Sequence, residues 1–397
     1  MREDTGVSVI GDSLEGKRVI LAVSGGIAAT ESVKLARELR RHGAEVFPMM
    51  TKSAEKVITP LALSWGSGID VVTDWKSEMS QLGGFDGLIL APATRNTIAK
   101  FVHGIIDSPI MMAISAASGS KIPILFVPSM HNDLFQDKVT DDLLSESVNR
   151  GVEIMFDDPQ EGKRKQPDPV EIVATFCNFV NRSIPGRKKV AITLGANAAP
   201  IDSIRKIVNT SSGNTGWSIA EYLHRMGHDV VCVSGITSRK PTFSLPDIRI
   251  AESPDSMLEE SIIVANSENK PEFWIHAAAI LDYSPEPISG KFPSNSGDWE
   301  ITLKPTLKHL EVLKEHTIGC KRIAFKLEVT GEEDSLISKS IDLISENELL
   351  AVVANMLSDV QGKSDSRCRI VFPDGKVSEI TDIVDLCVEI ERIITSH

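Results

Sequence analysis

Short apolar runs, each closed by a glycine or small polar turn, alternate along the chain with stretches of helical period. Residues 18–23 (RVILAV) read as a first buried strand, and Ser24-Gly25-Gly26 as its turn. From Ala28 to Arg41 the apolar positions Val33, Leu35, Ala36 and Leu39 repeat at helical spacing, and His42-Gly43 marks the stop. Residues 44–50 form the next strand, and residues 87–91 and 122–127 are further strand candidates separated by helical stretches. Strand and helix in strict alternation predict a doubly wound parallel sheet.

The same grammar restarts at Lys189. A run from Val190 to Leu194 ends in Gly195-Ala196-Asn197-Ala198. A second small-polar cluster follows, Asn209-Thr210-Ser211-Ser212-Gly213-Asn214-Thr215-Gly216, then a helical segment over 216–224 and a strand over 229–233. The stretches RRHGAEVFPMM (40–50) and HRMGHDVVCV (224–233) echo each other as helix end, glycine and strand. The prediction is therefore two Rossmann-like α/β domains, 1–184 and 185–397, joined through the polar segment 181–189 with its Pro185-Gly186. Residues 157–169 and 284–298, rich in charge or in Pro, Ser and Gly, read as loops, the first as a flap.

Composition narrows the field. A 397-residue chain that is 42% hydrophobic and 24% charged suits a globular protein of two or more domains. A net charge of -13 argues against a nucleic-acid partner. No apolar run reaches membrane-span length, and Met1-Arg2-Glu3-Asp4 lacks a signal-peptide pattern. The scattered Cys177, Cys232, Cys320, Cys368 and Cys387 contain no CxxC pair. They read as free thiols in a reducing compartment, so a cytoplasmic location is expected.

Several turns carry candidate chemistry. Ser24, Gly25 and Gly26 sit at a strand-to-helix turn, where backbone N–H groups cradle phosphate, or simply form a tight turn. Thr94 and Asn96, in APATRNT (91–97), follow a buried strand; they serve either as helix caps or as ligand contacts on the strand-end rim. His131 follows the strand IPILFVP and shares that rim. Asp282 ends a strand, either as a nucleotide or Mg²⁺ contact or as a turn residue before Pro285.

The motifs SGGIAA (24–29), MT (50–51), ITPLAL (58–63), APATRNT (91–97), NTIAKFVHGIIDS (96–108) and PSMHN (128–132) resemble those of the flavin-binding cysteine decarboxylases, above all the phosphopantothenoylcysteine decarboxylase type. The second half, with its AAILDY segment and the Asn-Thr-Ser-Ser-Gly cluster, resembles phosphopantothenate–cysteine ligase. Both halves in this order resemble the bifunctional proteins of coenzyme A biosynthesis, over nearly the whole chain after about residue 16. The resemblance implies a flavodoxin-like FMN domain followed by a nucleotide-binding ligase domain. It implies FMN held by Ser24, Gly25, Gly26, Thr51, Thr94, Asn96 and Thr97. It also implies a nucleotide site at Gly195, Asn197, Ser211, Ser212, Gly213, Ala278, Asp282, Lys304, Phe325, Lys326 and Asn355. Asn209 takes the place of the family Asn that stabilises an acyl-nucleotide, and Lys291 is the one match to a lysine-rich segment closing over the activated acyl group. Asn209 and the neighbouring Ser212 and Asn214 also have a plain reading as caps of the following helix.

The decarboxylase half departs from the family in three places. The family's catalytic His falls by count on Glu78, its Pro-Ala-Met-Asn motif becomes Pro128-Ser129-Met130-His131, and its flap Cys is absent from Glu161-Gly162-Lys163-Arg164-Lys165. Glu78, His131 and Lys163 are the candidate substitutes for acid–base work.

The expected activity is thus twofold. The second domain would join 4'-phosphopantothenate to L-cysteine through a nucleotidyl ester formed from CTP, or from ATP, with Mg²⁺ neutralising the triphosphate. The first would decarboxylate the product on FMN. A homo-oligomer is expected, with the ligase domain dimeric, the flavin domain trimeric and the whole up to a dodecamer. Two other readings fit the departures: a ligase with a vestigial flavin domain, or a non-enzymatic flavin-binding regulator.

Overall fold

The computed structural model describes residues 6–75, 83–158, 162–294, 297–360 and 366–397. The chain divides into two compact units, one of Met1–Ser183 with Arg225–Gly227, the other of Ile184–His224 and His228–His397.

The first unit is built on a five-stranded parallel sheet. Its strands are β1 (Arg18–Val23), β2 (Glu45–Met50), β3 (Gly87–Ala93), β4 (Ile124–Pro128) and β5 (Val152–Ile154), in the order β2-β1-β3-β4-β5. This is the flavodoxin-like order. Successive side chains of a strand face opposite sides of the sheet. On β1, Val19, Leu21 and Val23 pack with Leu35 and Leu39 of α1 (Ser32–Arg41), Leu63 of α2 (Pro60–Ser67) and a later helix carrying Val173 and Phe176. Ile20 and Ala22 pack on the other face with Ile98 and Phe101 of α3 (Arg95–Val102) and Ile110 and Ile114 of α4 (Pro109–Gly119). Both faces are covered by helices, which is why β1 reads as one unbroken apolar run. Helices α5 (Lys138–Asn149) and α6 (Pro169–Asn181) complete the layers.

The second unit carries an eight-stranded sheet. Its strands are β6 (Lys189–Leu194), β7 (Asp229–Ser234), β8 (Asp247–Ile250), β9 (Phe273–His276), β10 (Lys321–Glu328), β11 (Ala351–Met356), β12 (Cys368–Val371) and β13 (Val377–Ile380). The order is β8-β7-β6-β9-β10-β11-β12-β13. The first six are parallel in Rossmann order; β12 and β13 continue the sheet antiparallel. Helices α7 (Asn214–Arg225), α8 (Pro254–Ala265), α9 (His309–His316), α10 (Glu333–Asn347) and α11 (Ile383–Thr395) cover it.

Element types follow the sequence pattern, and several ends differ. The helix expected over 28–41 opens as a 3-10 turn, Ile27–Glu31, before α1. Helix α7 begins at Asn214: the Gly213 carbonyl accepts its first bond, from the Trp217 N–H at 3.0 Å, and in the turn before it the Ser211 and Ser212 hydroxyls accept from the N–H groups of Gly213 and Asn214, each at 3.3 Å. The stretch 157–169 is not all loop: Lys163–Arg164 pairs antiparallel with Met130–His131. The loop 284–298 likewise starts from a paired segment, Tyr283–Pro285 against Leu303–Pro305. All five cysteines are free thiols, and burial pushes Cys177, Cys320, Cys368 and Cys387 up to about 12.

Candidate functional sites at the strand ends

In the first unit a cavity of about 560 Å³ opens beyond the carboxyl ends of β1, β2 and β3. Gly25, Thr51, Thr94, Asn96 and Thr97 all line it, with Lys52, Ser53, Asp74, Trp75 and Lys100. Ser24 stands behind this wall. It is fully buried, donates to the Pro92 carbonyl at 2.7 Å and accepts from the Thr94 N–H at 2.9 Å. The Thr94 hydroxyl lies 3.1 Å from Ser24 and 3.0 Å from that of Thr97. Ser24 therefore ties the first turn to the third and sets where the Thr94-to-Thr97 turn faces. Thr94 occupies the N-cap position of α3, but its side chain makes no capping bond and stays within this hydroxyl chain. Thr51 caps its own turn, its hydroxyl accepting from Ala54 N–H at 3.2 Å. Gly25 is fixed by contact: a Cβ there would stand 2.3 Å from the Ser53 Cβ and 2.8 Å from its backbone carbon. Gly26 has room for a Cβ at ordinary contact distance.

His131 is exposed and is not among the residues lining that cavity. It sits directly opposite Lys163 in the short antiparallel pair, so two of the candidate acid–base groups share one backbone ladder. Glu78 lies outside the described residues.

In the second unit four turns meet where the strand order reverses, between β6 and β9, the place at which doubly wound sheets bind ligands. Ala196 bridges to both Ile236 and Ala279. The Ala279 N–H donates to Gly195 O at 2.8 Å, and Asn197 N–H to Ala279 O at 3.2 Å. The Asn209 side-chain amide donates to the same Ala279 carbonyl at 3.1 Å. Gly195 (φ 84°) and Gly213 (φ 76°) both crowd Thr237, where a Cβ would come within 2.7 and 2.4 Å of its methyl. Asn197 is wholly buried, with its Oδ1 unpartnered.

Beside this junction a cavity of about 320 Å³ is lined by Ala278, Asp282, Phe325 and Lys326. Phe325 and Lys326 fall inside β10 rather than at its end, because that strand runs on to Glu328. The same wall holds Thr193, His276, Lys308, His309 and Asn347. Of these, His276, His309 and Asn347 escaped the sequence reading; a histidine closing the apolar run FWIH was the available signal. Burial first, then the nearby charges of Arg322 and His309, push His276 down to about 3, so its ring is neutral. Asp282 is exposed and pairs with Lys308 at 2.5 Å. Among the described residues no cluster of three or more His, Cys, Asp or Glu could hold a metal. Asp282 shares the cavity lining with Glu311 and Glu346 but forms no such cluster with them, a donor set that suits Mg²⁺ only when phosphate oxygens supply most of the other ligands.

Lys291 is exposed, in a loop whose base is tightly fixed. The buried Asp202 carboxylate accepts from Ile204, Arg205 and Phe292 N–H groups at 2.8, 2.7 and 3.1 Å, and from the Arg205 guanidinium at 2.5 Å. Burial alone would raise its pKa; these donors outweigh it and bring it to about 2. Phe292 stacks on Trp299 at 4.1 Å. Lys304 pairs with Glu286 at 2.5 Å on a separate, smaller cavity. Asn355 lies near the end of β11 with Oδ1 unpartnered, and does not line the larger cavity.

The two sheets define a flavodoxin-like α/β domain followed by a Rossmann-like α/β domain, each with a cavity at its strand ends. Residues 9–181 match the flavoprotein family model, and residues 186–385 that of the DNA/pantothenate metabolism flavoprotein C-terminal domain. The coenzyme A biosynthesis bifunctional protein of Thermococcus kodakarensis is 34% identical over 352 residues, covering 87% of this chain and 86% of that one. Its Escherichia coli counterpart is 31% identical, covering 87% and 90%. A DNA/pantothenate metabolism flavoprotein structure from Streptococcus pneumoniae, 24% identical, covers 53% of this chain and 100% of its own with a TM-score of 0.47. The chain belongs to the family of bifunctional coenzyme A biosynthesis proteins.

Proposed function

We propose that the chain carries out two consecutive steps of coenzyme A biosynthesis: ligation of 4'-phosphopantothenate to L-cysteine in the second domain, and decarboxylation of the product in the first. The observation that carries this reading is the junction at Ala279, where Gly195, Asn197 and Asn209 converge beside the cavity of Ala278, Asp282 and Phe325.

In the ligase half the substrate carboxylate attacks the α-phosphorus of CTP and pyrophosphate leaves. The cysteine amine then attacks the acyl carbon, CMP leaves, and the amine proton passes to solvent or a nearby base. Asn209 uses one amide hydrogen on Ala279 and keeps the second for the developing oxyanion. Gly195, in the turn after β6, and Ser211, Ser212 and Gly213, just before α7, offer backbone and hydroxyl donors to phosphate. Lys291, and Lys304 only if Glu286 on the neighbouring smaller cavity releases it, bring positive charge to the triphosphate, and Asp282 would hold Mg²⁺ through it once Lys308 lets go.

In the first domain the residues fit FMN: a cavity of about 560 Å³ with hydroxyls at Thr51, Thr94 and Thr97, the Asn96 amide, and Gly25 as the close-approach point. Bound there, FMN would supply two-electron oxidation of the substrate's cysteinyl group and return the electrons after carbon dioxide is lost. His131, Lys163 and Glu78 are the chain's own candidates for moving the protons, in place of the family His and Cys. We further place the enzyme in the cytoplasm as a homo-oligomer, a ligase-domain dimer and flavin-domain trimer assembling up to a dodecamer. The exposed Ile27, Leu61 and Trp65 of the first unit are apolar surface for such contacts.

The deciding experiment is mass spectrometry of products from phosphopantothenate, cysteine and CTP. Phosphopantetheine supports both activities. Accumulation of phosphopantothenoylcysteine with bound flavin would favour a ligase with an idle first domain. No ligation product, with yellow protein, would favour a flavin-binding regulator.

A further inference from the structure

A separate cavity of about 230 Å³ lies in the second unit at the amino ends of β9 and β10, the opposite end of those strands from the ligation site. The loop before β9 brings Lys270 and Glu272 to its wall, and the turn from α9 into β10 brings His316 and Cys320. Trp274 of β9 lines it too. That side chain is fully buried, and its Nε1 has no hydrogen-bond partner among the described residues. An indole N–H can only donate, and buried polar groups are normally satisfied, because an unpaired one has left water without regaining a bond. The cavity therefore calls for an acceptor.

The rest of the wall repeats that demand. Asn266 Nδ2 donates to Ile262 O at 3.0 Å and lies 3.1 Å from His316 Nδ1. An amide nitrogen only donates, so His316 Nδ1 accepts and the ring keeps its proton on Nε2, a second donor. Glu272, the carboxylate on this wall, is held by Lys188 Nζ at 2.9 Å. Lys270 is exposed and enters no ion pair among the described residues. The carbonyls at the two adjoining helix ends are already taken. Val264 O accepts from the Ser267 N–H and hydroxyl at 3.3 and 2.8 Å, and Leu313 O from those of Thr317 at 3.0 and 2.6 Å. What remains to meet a ligand is a set of donors, one uncompensated cation and the apolar surface of Ala265 and Ile318. Burial first of all pushes the Cys320 thiol up to about 12, so it stays protonated and forms no covalent link to an occupant.

We infer that this cavity is a binding site for a short apolar carboxylate, separate from both sites of coenzyme A synthesis. A carboxylate oxygen accepts from Trp274 Nε1, His316 and Lys270 meet the charge from the more exposed side, and the hydrocarbon lies against Ala265 and Ile318. The volume falls below the usual range for small-molecule sites and limits the occupant to a few carbons.

The test uses Cys320 as the reporter in the full chain. It is the one cysteine of the five that is not buried, so an aromatic disulfide reagent at alkaline pH modifies it first, and Cys320→Ser supplies the blank. Pentanoate should slow this modification to a plateau, whereas 1-pentanol and chloride at the same ionic strength should not. Trp274→Phe keeps an apolar ring and removes the donor; it should raise the pentanoate concentration needed by about tenfold or more, the usual cost of a lost hydrogen bond to a charged group. Lys270→Gln should raise it by about two- to fivefold, as expected for an exposed charge. Modification unchanged by pentanoate overturns the inference, as does equal protection by pentanol or chloride, or wild-type protection in both variants. If Trp274→Phe does not fold by circular dichroism, the wild-type comparison and Lys270→Gln decide.

Discussion

Asn209 donates its side-chain amide to the backbone carbonyl of Ala279 at 3.1 Å, joining two segments seventy residues apart in sequence. The bond orients the amide beside the end of β9 and ties the polar loop before α7 to the centre of the sheet. Asn209→Ala should lower ligation turnover by about 10²–10³, the usual cost of losing one oxyanion donor. Asn209→Asp should be at least as damaging, since a carboxylate cannot donate to Ala279. Steady-state kinetics of both, with circular dichroism to confirm folding, checks this. Wild-type turnover in either would reduce Asn209 to a loop tie.

Asp202 holds the backbone beside Lys291, its carboxylate accepting from the Phe292 N–H at 3.1 Å. Lys291→Gln should abolish acyl-nucleotide formation while leaving nucleotide binding intact, read by mass spectrometry of quenched mixtures and by titration. Asp202→Ala removes the acceptor for Phe292, Ile204 and Arg205. It should cut the same step by about tenfold or more through loosened positioning without touching the lysine. Normal intermediate formation in Lys291→Gln would remove that residue from the first step.

The same carboxylate gives a pH signature. Its folded pKa, about 2, lies below the ordinary value of 3.8. The stability it contributes is complete above about pH 4 and fades as pH falls toward 2. Chemical denaturation across that range should show a shallower acid loss for Asp202→Asn than for the wild type.

His276 acts higher on the scale. Its folded pKa is near 3 against an ordinary 6.5. Below about pH 6.5 the unfolded chain takes up a proton that the folded chain refuses, so stability falls steadily between pH 6.5 and 3, by about 3–5 kcal/mol at most. His276→Gln should flatten that slope, measured by urea midpoints at pH 7.5 and 5.

Gly25→Ala should expel flavin. The new methyl would meet the Ser53 Cβ at 2.3 Å and its backbone carbon at 2.8 Å, so the Gly25 turn or the Ser53 backbone, both on the cavity lining, must shift. The purified variant should lose its flavin absorbance, whereas Gly26→Ala, with 3.6 Å of clearance to Thr94, should keep it. Equal flavin content in the two would detach Gly25 from the cofactor site.

Much of this architecture is legible in one dimension. Val19, Leu21 and Val23 on one face and Ile20 and Ala22 on the other announce a strand buried on both sides, because helices cover both. The turns after β1, β3, β6 and β9 were visible as small-residue clusters, since glycines such as Gly195 and Gly213 must keep φ positive within reach of Thr237. Tertiary structure decided the rest. Ser24 read as a ligand donor, yet Pro92 and Thr94 claim its hydroxyl from a strand that only pairing brings near. His131 shared a strand-end position with the flavin-site motifs, yet its two-residue ladder with Lys163 leaves it exposed, outside the lining of the cavity. His276, His309 and Asn347 carry no local pattern, because a strand end, a helix start and a helix end converge on one cavity only after the sheet is assembled. Period and turn chemistry are local and survive in the sequence. Which polar atoms remain without a partner depends on every neighbour that folding supplies.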